Sequence, residues 1–262
     1  MNNSPTSFCF ARLILIAGSA ILPLLGATPF TVVSYNIKHG QGMDGKIDLK
    51  RIATVIKKEN PDLVTLQEID SNCTRSGQID QAAELGRLLK MHHRFGKFMD
   101  FQGGQYGMAV LSRFPIEKTT RHVLPKGAEP RCALEIVVRP DGWKTPLSLI
   151  GIHNDWITSE TRISQVTTLL KKLADTKHPV LLAGDFNAQP GSASLAVLKN
   201  KGWKMLREKR TPTWPSNNPQ QEIDFFFAHG FGPIHFEEKV IAEKVASDHL
   251  PIAVTIAPQV IR

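Results

Sequence analysis

Residues 147–187 read LSLIGIHNDWITSETRISQVTTLLKKLADTKHPVLLAGDFN, and this stretch decides the fold. Leu147 to Ile152 is a short apolar run that stops at His153, and Val180 to Gly184 is a second that stops at Asp185. Between them Ile163, Val166, Leu170 and Leu173 recur at helical spacing from about Ser159 to Asp175, and His178-Pro179 stops the helix. The same order occurs earlier. Phe30 to Tyr35 ends at Asn36, Asp48 is placed to cap a helix carrying Leu49, Ile52 and Ile56, Asn60-Pro61 ends it, and Asp62 to Gln67 is a strand ending at Glu68. Asn36 to Glu68 and His153 to Asp185 are both separations of 32 residues. Shared order and spacing predict a duplicated architecture with polar groups gathered at corresponding strand ends, where a rigid scaffold meets variable loops.

Outward from these halves, short strands are predicted at residues 108–112, 133–139, 223–228 and 252–256, bounded by Gly, Pro or charge. Strands alternating with helices imply an α/β protein of two sheets with helices outside them. At 262 residues, 42% hydrophobic and 21% charged, the chain is neither collagen-like, disulfide-dense nor broadly disordered. Lys and Arg exceed Asp and Glu by 32 to 24, a formal charge of +8. Such a surface favours polyanions: nucleic acid, anionic lipid headgroups or phosphorylated small molecules.

The N-terminus differs from the rest. Arg12 precedes an apolar run, Leu13 to Leu25, too short to span a bilayer comfortably and suited to the core of a signal peptide. Residues 1–27 are therefore expected to direct export, with an uncleaved anchor as the alternative, and residues 28–262 to form the domain. Beyond that segment only Cys73 and Cys132 remain, equally consistent with a disulfide or two free thiols.

Acidic and amide groups stand beside the apolar runs: Asn36, Glu68, Asp185 with Asn187, and Asp224, with Asp248-His249 before the last strand. Gathering several carboxylates is costly unless a cation neutralises them, and hard oxygen donors with an amide suit Mg²⁺ or Mn²⁺. No Cys/His cluster has zinc spacing. Beside a carboxylate, one ring nitrogen of His249 can be oriented while the other takes a proton from water. The histidines at 39, 92, 93, 122, 178, 229 and 235 are read as structural.

Taken together, Ser34-Tyr-Asn36, Leu66-Gln-Glu68, residues 106–116 (YGMAVLSRFPI), Gly184-Asp-Phe-Asn187, Ile223-Asp224 and Ser247-Asp-His249 resemble the endonuclease/exonuclease/phosphatase (DNase I-like) superfamily, and within it the small exported bacterial members. The resemblance covers about residues 30–257 in motif order. It implies a four-layer α/β/β/α sandwich of two mainly antiparallel sheets with quasi-twofold halves, and a Mg²⁺-dependent phosphoester hydrolase. It further implies that Asn36 and Glu68 hold the metal with Asp248 close by, and that His249, oriented by Asp224, activates water. Asp185 and Asn187 would position the nucleophile and phosphate, and His153 and Tyr106 would donate to phosphate oxygens. Arg131 matches a family arginine near the phosphate. Two departures stand out: Ile152-His153-Asn154 replaces the family's Thr-His-Leu, and the arginine usual two residues after Glu68 is Asp70, with Arg75 equally consistent with supplying that contact from a loop or with a solvated loop arginine.

Three functions follow as expectations. A nuclease or phosphodiesterase suits the charge; Trp156 and Trp214, near motif residues, are able to stack on bases or, as the leading alternative, to pack and anchor their loops. A phospholipid or inositol-phosphate hydrolase suits export. A catalytically silent phosphate-binding module would require gaps in the site, and none is present. The substrate is expected to be a phosphoester met by a single copy of the chain with no obligate protein partner.

Overall fold

The computed structural model describes Met1 and residues 27–258; the export or anchor segment expected over residues 1–27 lies, apart from its two ends, outside them. In chain order the elements are β1 (Phe30–Asn36), α1 (Leu49–Lys58), β2 (Leu63–Ser71), α2 (Gln81–Leu89), β3 (His92–Phe101), β4 (Gly104–Ser112), β5 (Lys118–Leu124) and β6 (Arg131–Val138). They continue as β7 (Leu147–His153), α3 (Ser159–Lys172), β8 (Val180–Asp185), α4 (Ala193–Asn200), β9 (Lys204–Met205), β10 (Asp224–His229), β11 (Ile234–Val240) and β12 (Ile252–Pro258).

The strands form two six-stranded sheets, ordered β11-β12-β1-β2-β4-β3 and β5-β6-β7-β8-β10-β9. Read across either sheet, the pairings run antiparallel, antiparallel, parallel, antiparallel, antiparallel. The parallel pair is β1–β2 in one sheet and β7–β8 in the other, each joined by a crossover helix as parallel pairing requires. This is the duplication expected from the sequence.

Three apolar clusters define the four layers. One, including Val32, Met108, Leu149 and Phe226, fills the space between the sheets. A second packs Ile52, Ile56 and Leu85 of α1 and α2 on the first sheet, and a third packs Val166, Leu169 and Leu198 of α3 and α4 on the second. Side chains alternate across a strand, so β1 sends Val32 to the central cluster and Val33 to the helical one. A Cβ on Gly151 would run into the terminal methyl of Met108 on the facing sheet, whose flexible side chain would have to shift.

Two details of the repeat differ from expectation. Across the parallel pairs, Asn36 lies opposite Gln67 while His153 lies opposite Asp185, so the two 32-residue spacings are not equivalent. Glu68 is an extra residue in a β-bulge at φ 60°, and β2 continues past it to Ser71 instead of ending there. Asp224 begins β10 rather than following a strand, and because β10 runs antiparallel to β8 it still meets Asp185. Cys73 and Cys132 are both buried and free.

Candidate active site

The carboxyl ends of β1, β2, β7 and β8 and the amino ends of β10 and β12 meet at one end of the sandwich. A cleft of about 590 Å³ opens there. Nine of the eleven residues singled out in the sequence line it, and the other two, Asn36 and Asp224, lie hydrogen-bonded beneath.

The two sheets join through an amide. Asn36 Nδ2 donates to Glu68 Oε1 at 3.1 Å within its own sheet and to Asp185 Oδ2 at 3.2 Å in the other. Its Oδ1 accepts the Lys38 amide, and its backbone carbonyl accepts the Ser247 hydroxyl, which ties β1 to the loop carrying Asp248 and His249. Glu68 reaches this group because the bulge turns its side chain out of the strand's alternation. Gly184 does the corresponding service before Asp185: at φ 151°, a Cβ there would collide with the Ile152 backbone.

Asp224 and His249 form a buried pair, with Asp224 Oδ2 3.0 Å from His249 Nδ1. The same oxygen accepts the Thr213 hydroxyl at 2.6 Å, from the Thr-Pro-Thr-Trp loop. The other ring nitrogen, Nε2, lies 3.7 Å from Asp185 Oδ2. Burial alone would lower the His249 pKa, but Asp224 and Asp185 raise it to about 10. Burial and the charge of Asp224 lift Asp185 to about 7. Burial likewise raises Glu68, against the pull of the Asn36 amide. Asp248 pairs with Lys38 at 3.2 Å, a partner two residues beyond Asn36 that sequence reasoning missed.

Four further groups face the cleft from its other sides. His153 is buried with Nε2 3.5 Å from Asp185; burial, then the charges of Arg131 and His249, lower its pKa well below the usual range and keep it neutral. Burial holds the Tyr106 hydroxyl protonated. Arg131 is 4% exposed, stacks over Phe98 at 5.0 Å, and has no acceptor for its Nε. Arg75 makes a two-pronged pair, both bonds 2.8 Å, with the fully buried Asp70, and its guanidinium lies over Phe101 and Tyr106. Asp70, where the family has arginine, thus holds the arginine that faces the cleft. Asn187 turns its amide to the Asn154 carbonyl at 3.0 Å, so the departure at Asn154 still supports the site through its backbone. Trp156 and Trp214 both line the cleft, as do Glu129 and Phe101, for which the sequence carried no signal.

The donor set suits a divalent cation. Glu68, Asp185, Asp224 and Asp248 converge, and the cationic partners these four carboxylates contact are His249 and Lys38. Oxygen donors with an amide select a hard ion. Single oxygens of Asp185 and Asp224 and one nitrogen of His249 all lie within 4.8 Å of one another, a second arrangement able to hold a metal. The hydrogen bond between Asp224 and His249 favours the oxygen-rich side at Glu68 for the ion.

The model of the Endonuclease/Exonuclease/phosphatase family matches residues 33–249. Protein cwh43 of Schizosaccharomyces pombe (strain 972 / ATCC 24843) is 25% identical over 201 residues, 74% of this chain and 20% of that protein, so the chain spans about a fifth of that relative's length. An endonuclease/exonuclease/phosphatase of Beutenbergia cavernae DSM 12333 superposes with a TM-score of 0.73 at 24% identity, covering 87% of this chain and 71% of that one. A mannosyl-6-phosphatase of Bacteroides thetaiotaomicron VPI-5482 superposes with a TM-score of 0.70 at 17% identity, covering 87% and 99%. At these identities the two structures share the fold with this chain.

Proposed function

Since the chain belongs to the endonuclease/exonuclease/phosphatase family, we propose that it is a hydrolase of phosphoesters that depends on Mg²⁺ or Mn²⁺ and uses His249 to activate water. The observation that carries this reading is the buried Asp224–His249 pair beside a group of carboxylates at the floor of an open cleft. Asp224 fixes the ring so that Nε2 points toward Asp185 and the cleft, and Nε2 takes the proton from the attacking water. Asn36 and Glu68 would hold the ion, with Asp248 beside it. Bound there, it would supply positive charge that offsets the carboxylates keeping His249 protonated, and Lewis-acid polarisation of the phosphate.

The remaining groups serve the phosphate. Neutral His153 and protonated Tyr106 donate to oxygens where charge develops, the contribution that usually dominates phosphoryl transfer. Arg131, buried and with a free Nε, offers a fixed guanidinium to the same oxygens, and Arg75 a second. Asp185 and Asn187 position the water and the phosphate. A nuclease has a specific support in Trp156 and Trp214, both at the cleft and able to stack on bases. Export remains part of the proposal, on the apolar run Leu13 to Leu25.

The test is a substrate panel with Mg²⁺, Mn²⁺ or chelator: an aryl phosphodiester, DNA, RNA, phospholipids and inositol phosphates, each against His249→Ala. Metal-dependent hydrolysis that disappears in the variant is the expected result. Equal activity of wild type and variant, or none on any member, overturns the proposal.

A further inference from the structure

Apart from Met1, seven large hydrophobic side chains are exposed among the described residues, and all lie at the cleft end of the sandwich. Met43 and Ile47 are on the loop after β1, Ile79 follows β2, and Trp156 and Ile157 follow β7. Val245 precedes β12, which runs antiparallel to β1 and so starts at the same end. Val123 pairs with Cys132, next to the cleft residue Arg131. The loops interlock: the Met43 amide donates to the Val245 carbonyl at 2.8 Å, and the Ala128 amide to the Asp155 carboxylate at 2.7 Å. Apolar side chains scattered singly need no explanation, but a set confined to one end, with Trp156 lining the cleft itself, marks a contact surface.

Charge on the same loops narrows the partner. Lys46, Lys126 and Lys244 are exposed and make no ion pair among the described residues, whereas Arg75 and Arg131, which line the cleft, and Lys38, which contacts its Asp248, are paired. Aliphatic Met, Ile and Val side chains offer a nucleic acid neither stacking faces nor base-edge contacts. A protein seated on them would cover the cleft mouth. Apolar tips interleaved with unpaired lysines match the boundary of a bilayer bearing anionic headgroups, where the tips enter the acyl region and the lysines meet phosphate.

We propose that this rim docks the protein on an anionic lipid surface and brings headgroup phosphoesters to the cleft. Trp156, the most exposed of the seven, is the natural probe of this contact. The docking is independent of the hydrolase reading; only the headgroup as substrate rests on it.

The experiment uses the full chain with vesicles of phosphatidylcholine, or of phosphatidylcholine mixed with phosphatidylglycerol, carrying brominated acyl chains that quench tryptophan on contact. Wild type is expected to be quenched on the mixed vesicles, with most of that quenching lost in Trp156→Phe. Replacing Lys46, Lys126 and Lys244 by alanine should weaken binding roughly a hundredfold, at a factor of about five for each lysine near an anionic surface. His249→Ala should be quenched like wild type, and the triple lysine variant should hydrolyse a soluble aryl phosphodiester at the wild-type rate, which separates docking from chemistry. The inference is overturned if quenching is the same with and without Trp156. It is also overturned if the three lysines govern binding to an oligonucleotide and not to vesicles.

Discussion

Asp224 Oδ2 lies 3.0 Å from His249 Nδ1 and 2.6 Å from the Thr213 hydroxyl, so one carboxylate oxygen carries both the ring and the loop that holds it. The carboxylate can fix the tautomer only while it remains a carboxylate. Asp224→Asn keeps the shape but presents the ring with an amide, and it is expected to lower kcat roughly a thousandfold with little change in KM. Thr213→Val removes only support and should cost roughly tenfold. Steady-state rates on an aryl phosphodiester at saturating Mg²⁺ decide the matter; an unchanged kcat in Asp224→Asn would remove His249 from the base role.

The proposed metal binding has a readout apart from activity. Glu68 is a carboxylate whose pKa burial raises, with the Asn36 amide as its hydrogen-bond partner, so Glu68→Gln should leave the metal-free protein as stable as wild type or more so. Wild type should gain about 2.7 kcal/mol at a Mg²⁺ concentration near a hundred times its dissociation constant, and the variant should gain nothing there. Thermal unfolding with Mg²⁺ or EDTA measures both. A variant that responds to Mg²⁺ like wild type places the ion elsewhere, with Asp185, Asp224 and His249 the first alternative.

Asp70 is fully buried and its ion-pair partner is Arg75, which is partly exposed. Removing the arginine strands a buried charge, so Arg75→Ala should cost about 2–4 kcal/mol. Arg75→Ala with Asp70→Ala should cost less than Arg75→Ala alone, because no unpaired charge remains. Urea unfolding of the two proteins tests this. If the double variant is the weaker, packing of the pair outweighs its electrostatics.

Half-buried Glu238 on β11 supplies a pH dependence away from the site. Burial first, and then the charges of Glu222 and Glu208, raise its pKa to about 7 in the folded protein, against an ordinary value of 4.5. The folded state therefore holds more protons than the unfolded one between these values, and stability falls as pH rises through that window. Glu238→Gln should match wild type below pH 4.5 and unfold at a higher temperature above pH 7. Parallel melting curves across the range would count against this account.

The central strands were legible because they are buried on both faces. β7 and β8 read as unbroken apolar runs, and their ends, His153 and Asp185, fall where the sequence puts them. The edge strands were not. β3 (HHRFGKFMDF) and β11 (IHFEEKV) turn one face to solvent, so their apolar signal is diluted by charge. Nor could spacing reveal the bulge at Glu68, since one extra residue in a strand leaves the count between motifs unaltered as a number while changing what lies opposite. α2 and α4 escaped notice for their shortness. Among site residues, Glu129 and Phe101 reach the cleft through folding of distant segments, whereas Lys38 differed only in having no motif attached to it.

The position of β12 bears on when the protein can act. It inserts between β11 and β1, and the segment leading into it carries His249. During synthesis β1 emerges early and waits for a neighbour made more than two hundred residues later. The ribosome thus delivers Asn36, Glu68 and Asp185 before the residue that completes the pair with Asp224. If His249 is the water-activating base proposed above, a growing chain lacks that base until the segment leading into β12 has been made, and activity is timed by the closing of the sheet.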